Sequence, residues 1–100
     1  MDQLWTIAKS VEGRTLRTLA RGVPFEVIEV SETSLKIRAQ TGYEHPYSRK
    51  VIEKGCRHRL QGGKVEGTGL HEAGIIGSGS PRSYLPAVIL EITSEYKRNG

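Results

Sequence analysis

The hundred-residue chain has one cysteine, Cys56, and one aspartate, Asp2. A single thiol cannot close an internal disulfide and fits a reducing compartment, so a cytoplasmic location is expected. With Asp2 alone, the aspartate sets of metal-dependent nucleases are excluded. No apolar run approaches the roughly 18 residues of a membrane span. The start, Met1-Asp2-Gln3-Leu4-Trp5, lacks the basic and apolar regions of a secretory leader, so no membrane partner is expected. Internal repeats, heptads, low-complexity tracts, CxxC and HExxH are all missing. His45, His58 and His71 form no close ligand set with Cys56: Cys56 and His58, two apart on a helix, point in different directions. His71-Glu72 reads as an ordinary solvated pair, and Cys56, on an apolar stripe, as a small core residue. Neither catalysis nor a metal or cofactor is expected.

What is present is positive charge, unevenly placed. Between Lys36 and Lys64 stand eight basic residues, Lys36, Arg38, Arg49, Lys50, Lys54, Arg57, Arg59 and Lys64, against only Glu44 and Glu53. The segment is +6 within a chain of net charge +4, so everything outside it is slightly acidic. A one-sided positive field points to a polyanionic partner. Twelve glycines and a hydrophobic fraction of 36% imply short elements and many turns. The length allows one compact domain, assigned to residues 1–96, with 97–100 as a frayed tail.

The expected architecture is α+β: a small antiparallel meander of three or four strands with three or four helices, the last of them clustered at the C-terminal end. Leu4, Ile7, Ala8 and Val11 recur at helical spacing after Asp2, and Gly13 stops that helix. Residues 14–19 read as a strand, with a helical turn competing. Residues 25–30 form a strand with Phe25, Val27 and Val30 inward and Glu26 outward, Pro24 marking its beginning. Residues 35–39 alternate cleanly, with Leu35, Ile37 and Ala39 on one face and Lys36 and Arg38 on the other. A fourth short strand at 44–47 is weakened by Pro46. Ser48 then caps a helix over 49–60 that Gly62-Gly63 closes. A short helix at 68–73 ends at Gly74, and a last helix runs from Pro81 or Tyr84 to Glu95, with Pro86 placing its start near Ser83.

The 49–60 helix carries the main functional signal. Ile52, Cys56 and Leu60 line one side, and Lys50, Lys54, Arg57 and Gln61 another. Arg49 and Lys50 occupy its first turn, where the helix dipole disfavours cations, which suggests a role outside the fold. Lys36 and Arg38 are expected to extend the same surface. The competing reading is a solvated helix face whose cations pair with Glu53 or other acids. Tyr43 and Tyr47, flanking His45 and Pro46, could stack single-stranded bases, although Tyr47 before the cap also suits a hydrophobic staple. Gly77-Ser78-Gly79-Ser80 reads as a flexible loop or an anion nest.

Leu70 and Ala73 on a short helix, Gly74 at a turn, Ile75 after it, and Val88 and Ile89 on a following helix together resemble the helix-turn-helix and winged-helix class of DNA-binding modules. The segment 76–80 is longer than the turn of that class, and an ordinary helical hairpin is the alternative. The resemblance implies base contacts from the start of the second helix, here Ser80, Arg82, Ser83 and Tyr84. The expected function is thus non-catalytic nucleic-acid binding, DNA favoured over RNA. The contacts expected are Lys36, Arg38, Arg49, Lys50, Lys54, Arg57 and Arg82. The alternative is a protein-interaction module or accessory subunit that uses a sheet edge or an acidic partner.

Overall fold

The computed structural model describes residues 2–19, 21–65, 69–75 and 84–99. Its elements are α1 (Asp2–Ser10), β1 (Thr15–Arg17), β2 (Pro24–Val30), β3 (Ser34–Ala39), β4 (Glu44–Ser48), α2 (Arg49–Leu60), α3 (Gly69–Glu72) and α4 (Leu85–Asn99). The strands form a four-stranded antiparallel sheet in the order β1-β2-β3-β4, which makes the fold α+β.

Alternation decides which sheet face is buried. Phe25, Val27, Leu35, Ile37 and Tyr47 point inward and join Leu4, Ile7, Val11, Ile52, Val88, Ile89 and Ile92 from the helices in one core. Each fully buried aliphatic side chain contributes about 1.5–3 kcal/mol, so this apolar face is what holds helices and sheet together. The other sheet face is open to solvent. β1 resolves the competition at residues 14–19 in favour of a strand. Leu16 registers with Phe25, and buried Thr18 then turns the chain by accepting the Val23 N–H at 3.0 Å.

A register shift between Val27 and Glu29 matters for the site. Strict alternation from Phe25 would turn Glu29 inward. The bulge instead pairs Glu29 with Lys36 on the open face and returns Val30 to the core side opposite Leu35.

Pro46 does not prevent β4. The bonds from Ala39 N–H to Tyr43 O (2.7 Å) and from Arg49 N–H to Thr33 O (2.8 Å) set the hydrogen-bonded pairs at odd positions of this ladder. Pro46, opposite Lys36, falls between them, where its missing N–H would have pointed to the free edge.

α2 begins and ends as its sequence dictates. Ser48 Oγ accepts the Val51 N–H at 3.2 Å, and Tyr47 and Ile52 are both buried across the cap. At the other end Gly62 adopts φ +90, Gly63 N–H donates to His58 O at 2.8 Å and Gly62 N–H to Arg59 O at 3.0 Å. This is a Schellman closure, which needs a residue free to take a left-handed conformation. In mid-helix, Gly55 lets α4 approach closely: a Cβ there would lie 2.2 Å from Ile89 Cδ1.

α4 continues past Glu95, through the Lys97-Arg98-Asn99 stretch read from sequence as a frayed tail. Two cations in a last helical turn complement the dipole, and Arg98 donates to Glu95 at 2.9 Å.

Candidate nucleic-acid interface

The open sheet face does not add positive charge. On it, Lys36 Nζ lies 3.8 Å from Glu29, and Arg38 donates from Nε (3.1 Å) and Nη2 (2.9 Å) to Glu44 Oε2. Glu26 stands opposite Arg38 in register. Charges of both signs alternate across β2, β3 and β4, and the face is close to neutral. The helices cover the other side of the sheet, so Lys36 and Arg38 do not converge with α2 as the sequence led us to expect. A strand's polar face joins a helix's polar face only where both border the same surface, and here the sheet lies between them.

Arg49 is also committed within the fold. Its guanidinium carbon sits 5.2 Å from the Trp5 ring centroid, Nε donates to Glu53 at 3.1 Å, and Nη1 donates to the Glu32 carbonyl at 3.2 Å.

Lys50, Lys54 and Arg57 differ from all of these. At i, i+4 and i+7 they form one exposed stripe on α2, opposite the buried Ile52, Gly55 and Cys56, and Gln61 continues it. None of the three has a carboxylate within 4.0 Å among the described residues. The stripe runs roughly 10 Å along the helix axis, about the rise of three base-pair steps along one DNA strand. Beyond it, Lys64 is exposed, and its carbonyl accepts from His58 Nε2 at 3.0 Å. Arg59 turns back and is half-buried, its Nε lacking a hydrogen-bond partner among the described residues.

The aromatic side chains lie elsewhere. Tyr43, His45 and Tyr47 form a ladder on the core side of β4. Tyr43 stacks on His45 at 6.1 Å between centroids with its hydroxyl 3.1 Å from Nδ1, and His45 meets Tyr47 edge-on at 4.7 Å. Tyr47 is core, and burial pushes its hydroxyl well above the ordinary value. Tyr43 alone of the ladder is well exposed. The open sheet face offers no aromatic ring among the described residues, so it is not a stacking platform. Tyr84, one of the residues implied by the helix-turn-helix resemblance, packs edge-on against Phe25 at 5.1 Å.

Ser80, Arg82 and Ser83, the rest of that set, lie outside the described residues, as does the Gly77–Ser80 stretch. Within the described part of the unit, α3 is a single four-residue turn.

Cys56 is buried, and desolvation pushes its thiol up to about 12, which leaves it an inert core residue at neutral pH. Among the described residues, no three His, Cys, Asp or Glu side chains gather as a metal site; the side chain of His71 lies outside those residues. No family model, curated protein or solved structure matches the chain.

Proposed function

We propose that the protein is a non-catalytic nucleic-acid-binding domain that holds duplex DNA by its backbone through Lys50, Lys54 and Arg57. The observation carrying this reading is the selective pairing of cations. Within the basic segment, Lys36, Arg38 and Arg49 are matched to carboxylates, whereas the three on the outward stripe of α2 have none among the described residues. Cations aligned on a helix and without a carboxylate partner among the described residues meet phosphates at little reorganisation cost. The affinity is then counterion release, with little dependence on base sequence.

Duplex is favoured over single strands because the stripe has no exposed ring beside it on α2 for unpaired bases to stack upon. The competing mode, strand addition by a protein partner, is opposed at both sheet edges. β4 carries Pro46 at its centre, and β1 is only three residues long.

The test is fluorescence anisotropy of labelled duplex DNA, duplex RNA and single-stranded DNA between 50 and 200 mM salt. Three phosphate contacts give a log–log slope near −2.7 and about a 40-fold loss of affinity over that range. Lys50→Ala/Lys54→Ala/Arg57→Ala is expected to flatten the slope, whereas Lys36→Ala/Arg38→Ala is expected to leave it within error of wild type. A slope unchanged by the triple substitution refutes the reading. Arg82→Ala, by changing the preference among duplex sequences, tests the groove contact implied by the helix-turn-helix resemblance.

A further inference from the structure

The first turn of α2 faces α1 and the β2–β3 turn across an open hollow of about 120 Å³ lined by Trp5, Thr6, Lys9, Glu32 and Arg49. Trp5 forms its floor, fixed by an indole N–H donated to Ser31 O at 2.9 Å. Arg49 lies over that ring, braced by Glu53 and by the Glu32 carbonyl. Lys9 reaches in from α1 and donates to the Glu32 carboxylate, whose other oxygen is 4.0 Å from Arg49 Nη1. Two cations from different helices thus share a single carboxylate, and that carboxylate is 75% exposed on a turn.

Lys9 and Arg49 are balanced by the Glu32 and Glu53 carboxylates, so displacing Glu32 uncovers one net positive charge, to which the positive end of the α2 dipole adds. Glu32 already stands where anionic oxygens belong. The Lys9 hydrogen bond and charge hold its carboxyl below the usual carboxylate range, with Arg49 adding a smaller effect, so it is ionised at neutral pH.

We propose that this hollow is a site for a phosphoryl group, and that Glu32 is a built-in competitor which the phosphoryl oxygens displace to reach Lys9 and Arg49. The chemistry selects the ligand. A planar guanidinium offers paired donors that match phosphate geometry, and an ammonium adds a point charge beside it. The hollow is open to solvent and its space of about 120 Å³ admits a phosphoryl group. A base cannot stack on Trp5, because Arg49 covers that face and the ring is only 2% exposed.

The inference goes beyond the Lys50–Lys54–Arg57 stripe and stands without it. Trp5 is the only tryptophan, so intrinsic fluorescence reports this hollow. The experiment is titration with inorganic phosphate against chloride at constant ionic strength, repeated with a 5′-phosphorylated dinucleotide and its 5′-hydroxyl counterpart. Saturable change in Trp5 emission with phosphate but not chloride is expected. Glu32→Gln should tighten binding roughly two- to fivefold by removing the competitor. Lys9→Met should weaken it at least about tenfold. The triple change in the stripe should leave phosphate binding within about twofold, which separates failure here from failure of the DNA reading. Preference for the 5′-phosphorylated dinucleotide assigns the site to a terminal monoester, and equal binding of the two assigns it to an internal diester. Binding of inorganic phosphate with neither dinucleotide assigns it to free phosphate. Indistinguishable responses to phosphate and chloride, unchanged binding in Lys9→Met, or weaker binding in Glu32→Gln would each overturn the proposal.

Discussion

Replacing Gly55 by alanine sets two effects of opposite sign against each other. Gly55 lies in the middle of α2, where alanine is worth about 1 kcal/mol more to a helix than glycine. Propensity alone therefore predicts stabilisation. Packing predicts the reverse. The new Cβ would lie 2.2 Å from Ile89 Cδ1 and 3.1 Å from Ile89 Cγ1, and Ile89 is fully buried on α4. A branched side chain with no room behind it cannot swing aside, so α2 and α4 must separate or Ile89 must leave its rotamer. Overpacking of this kind costs about 1–3 kcal/mol. The net expectation for Gly55→Ala is a loss of about 1 kcal/mol. A second substitution separates the two contributions. Ile89→Val removes Cδ1, the nearer of the two atoms, at its own cost of about 0.5–1.5 kcal/mol. In that background Gly55→Ala has only the 3.1 Å contact to relieve, and the helix-propensity gain should appear. Urea unfolding of the four proteins in the cycle should give a coupling of about 1–2 kcal/mol. Gly55→Ala stabilising the wild-type background by its full propensity value would refute the close seating of α2 on α4. The orientation of the Lys50–Lys54–Arg57 stripe depends on that seating, so its outward placement would fall with it.

Two further substitutions probe the same helix. Cys56 has its thiol pushed up to about 12 in the folded chain against 9.0 for the unperturbed group. Above pH 9 the unfolded chain therefore holds fewer protons than the folded one, and stability falls as pH rises, at up to about 1.4 kcal/mol per unit. Urea midpoints measured between pH 9 and 10 should drop, and Cys56→Ala should flatten that dependence. A native thiol that reacts with a disulfide reagent as fast as the unfolded chain would contradict its burial. Ser48→Ala leaves the Val51 N–H without its acceptor and should cost about 1 kcal/mol, seen as a fall in Tm of about 4–8 °C for a domain of this size.

Where function is concerned, legibility in the sequence follows the range of the interaction. α2 is written locally: Ser48, the stripe Ile52–Cys56–Leu60 and Gly62-Gly63 lie within a few residues of what they specify, and the helix occupies residues 49–60 as expected. β3 is equally local, its alternation visible in six residues. β4 was obscured by Pro46, whose tolerance depends on which register positions face the free edge, a fact about the partner strand. Gly55 is legible only in part: a glycine on the buried side of a helix marks a close neighbour, and only the fold names Ile89. The hollow lay beyond sequence reasoning. Lys9, Glu32 and Arg49 come from a helix, a turn and another helix, and no spacing rule links them.

The fate of the strand cations shows why segment charge is a poor proxy for surface charge. By sequence, Lys36 and Arg38 belong with Lys50, Lys54 and Arg57. By structure, each faces an acid on a neighbouring strand, and one of those acids is there only because the backbone bulges between Val27 and Glu29. Without the bulge Glu29 would point into the core, where an unpaired carboxylate is costly, and Lys36 would lose its neighbour on the open face. One irregular step in β2 therefore does two things: it keeps a charge out of the interior and balances the sheet's solvent side. With that side balanced, the positive charge left over belongs to α2, across the sheet. The two layers are then unlike in charge, and on the DNA-binding reading proposed above this difference would orient a polyanion toward the helical side before any base or groove contact.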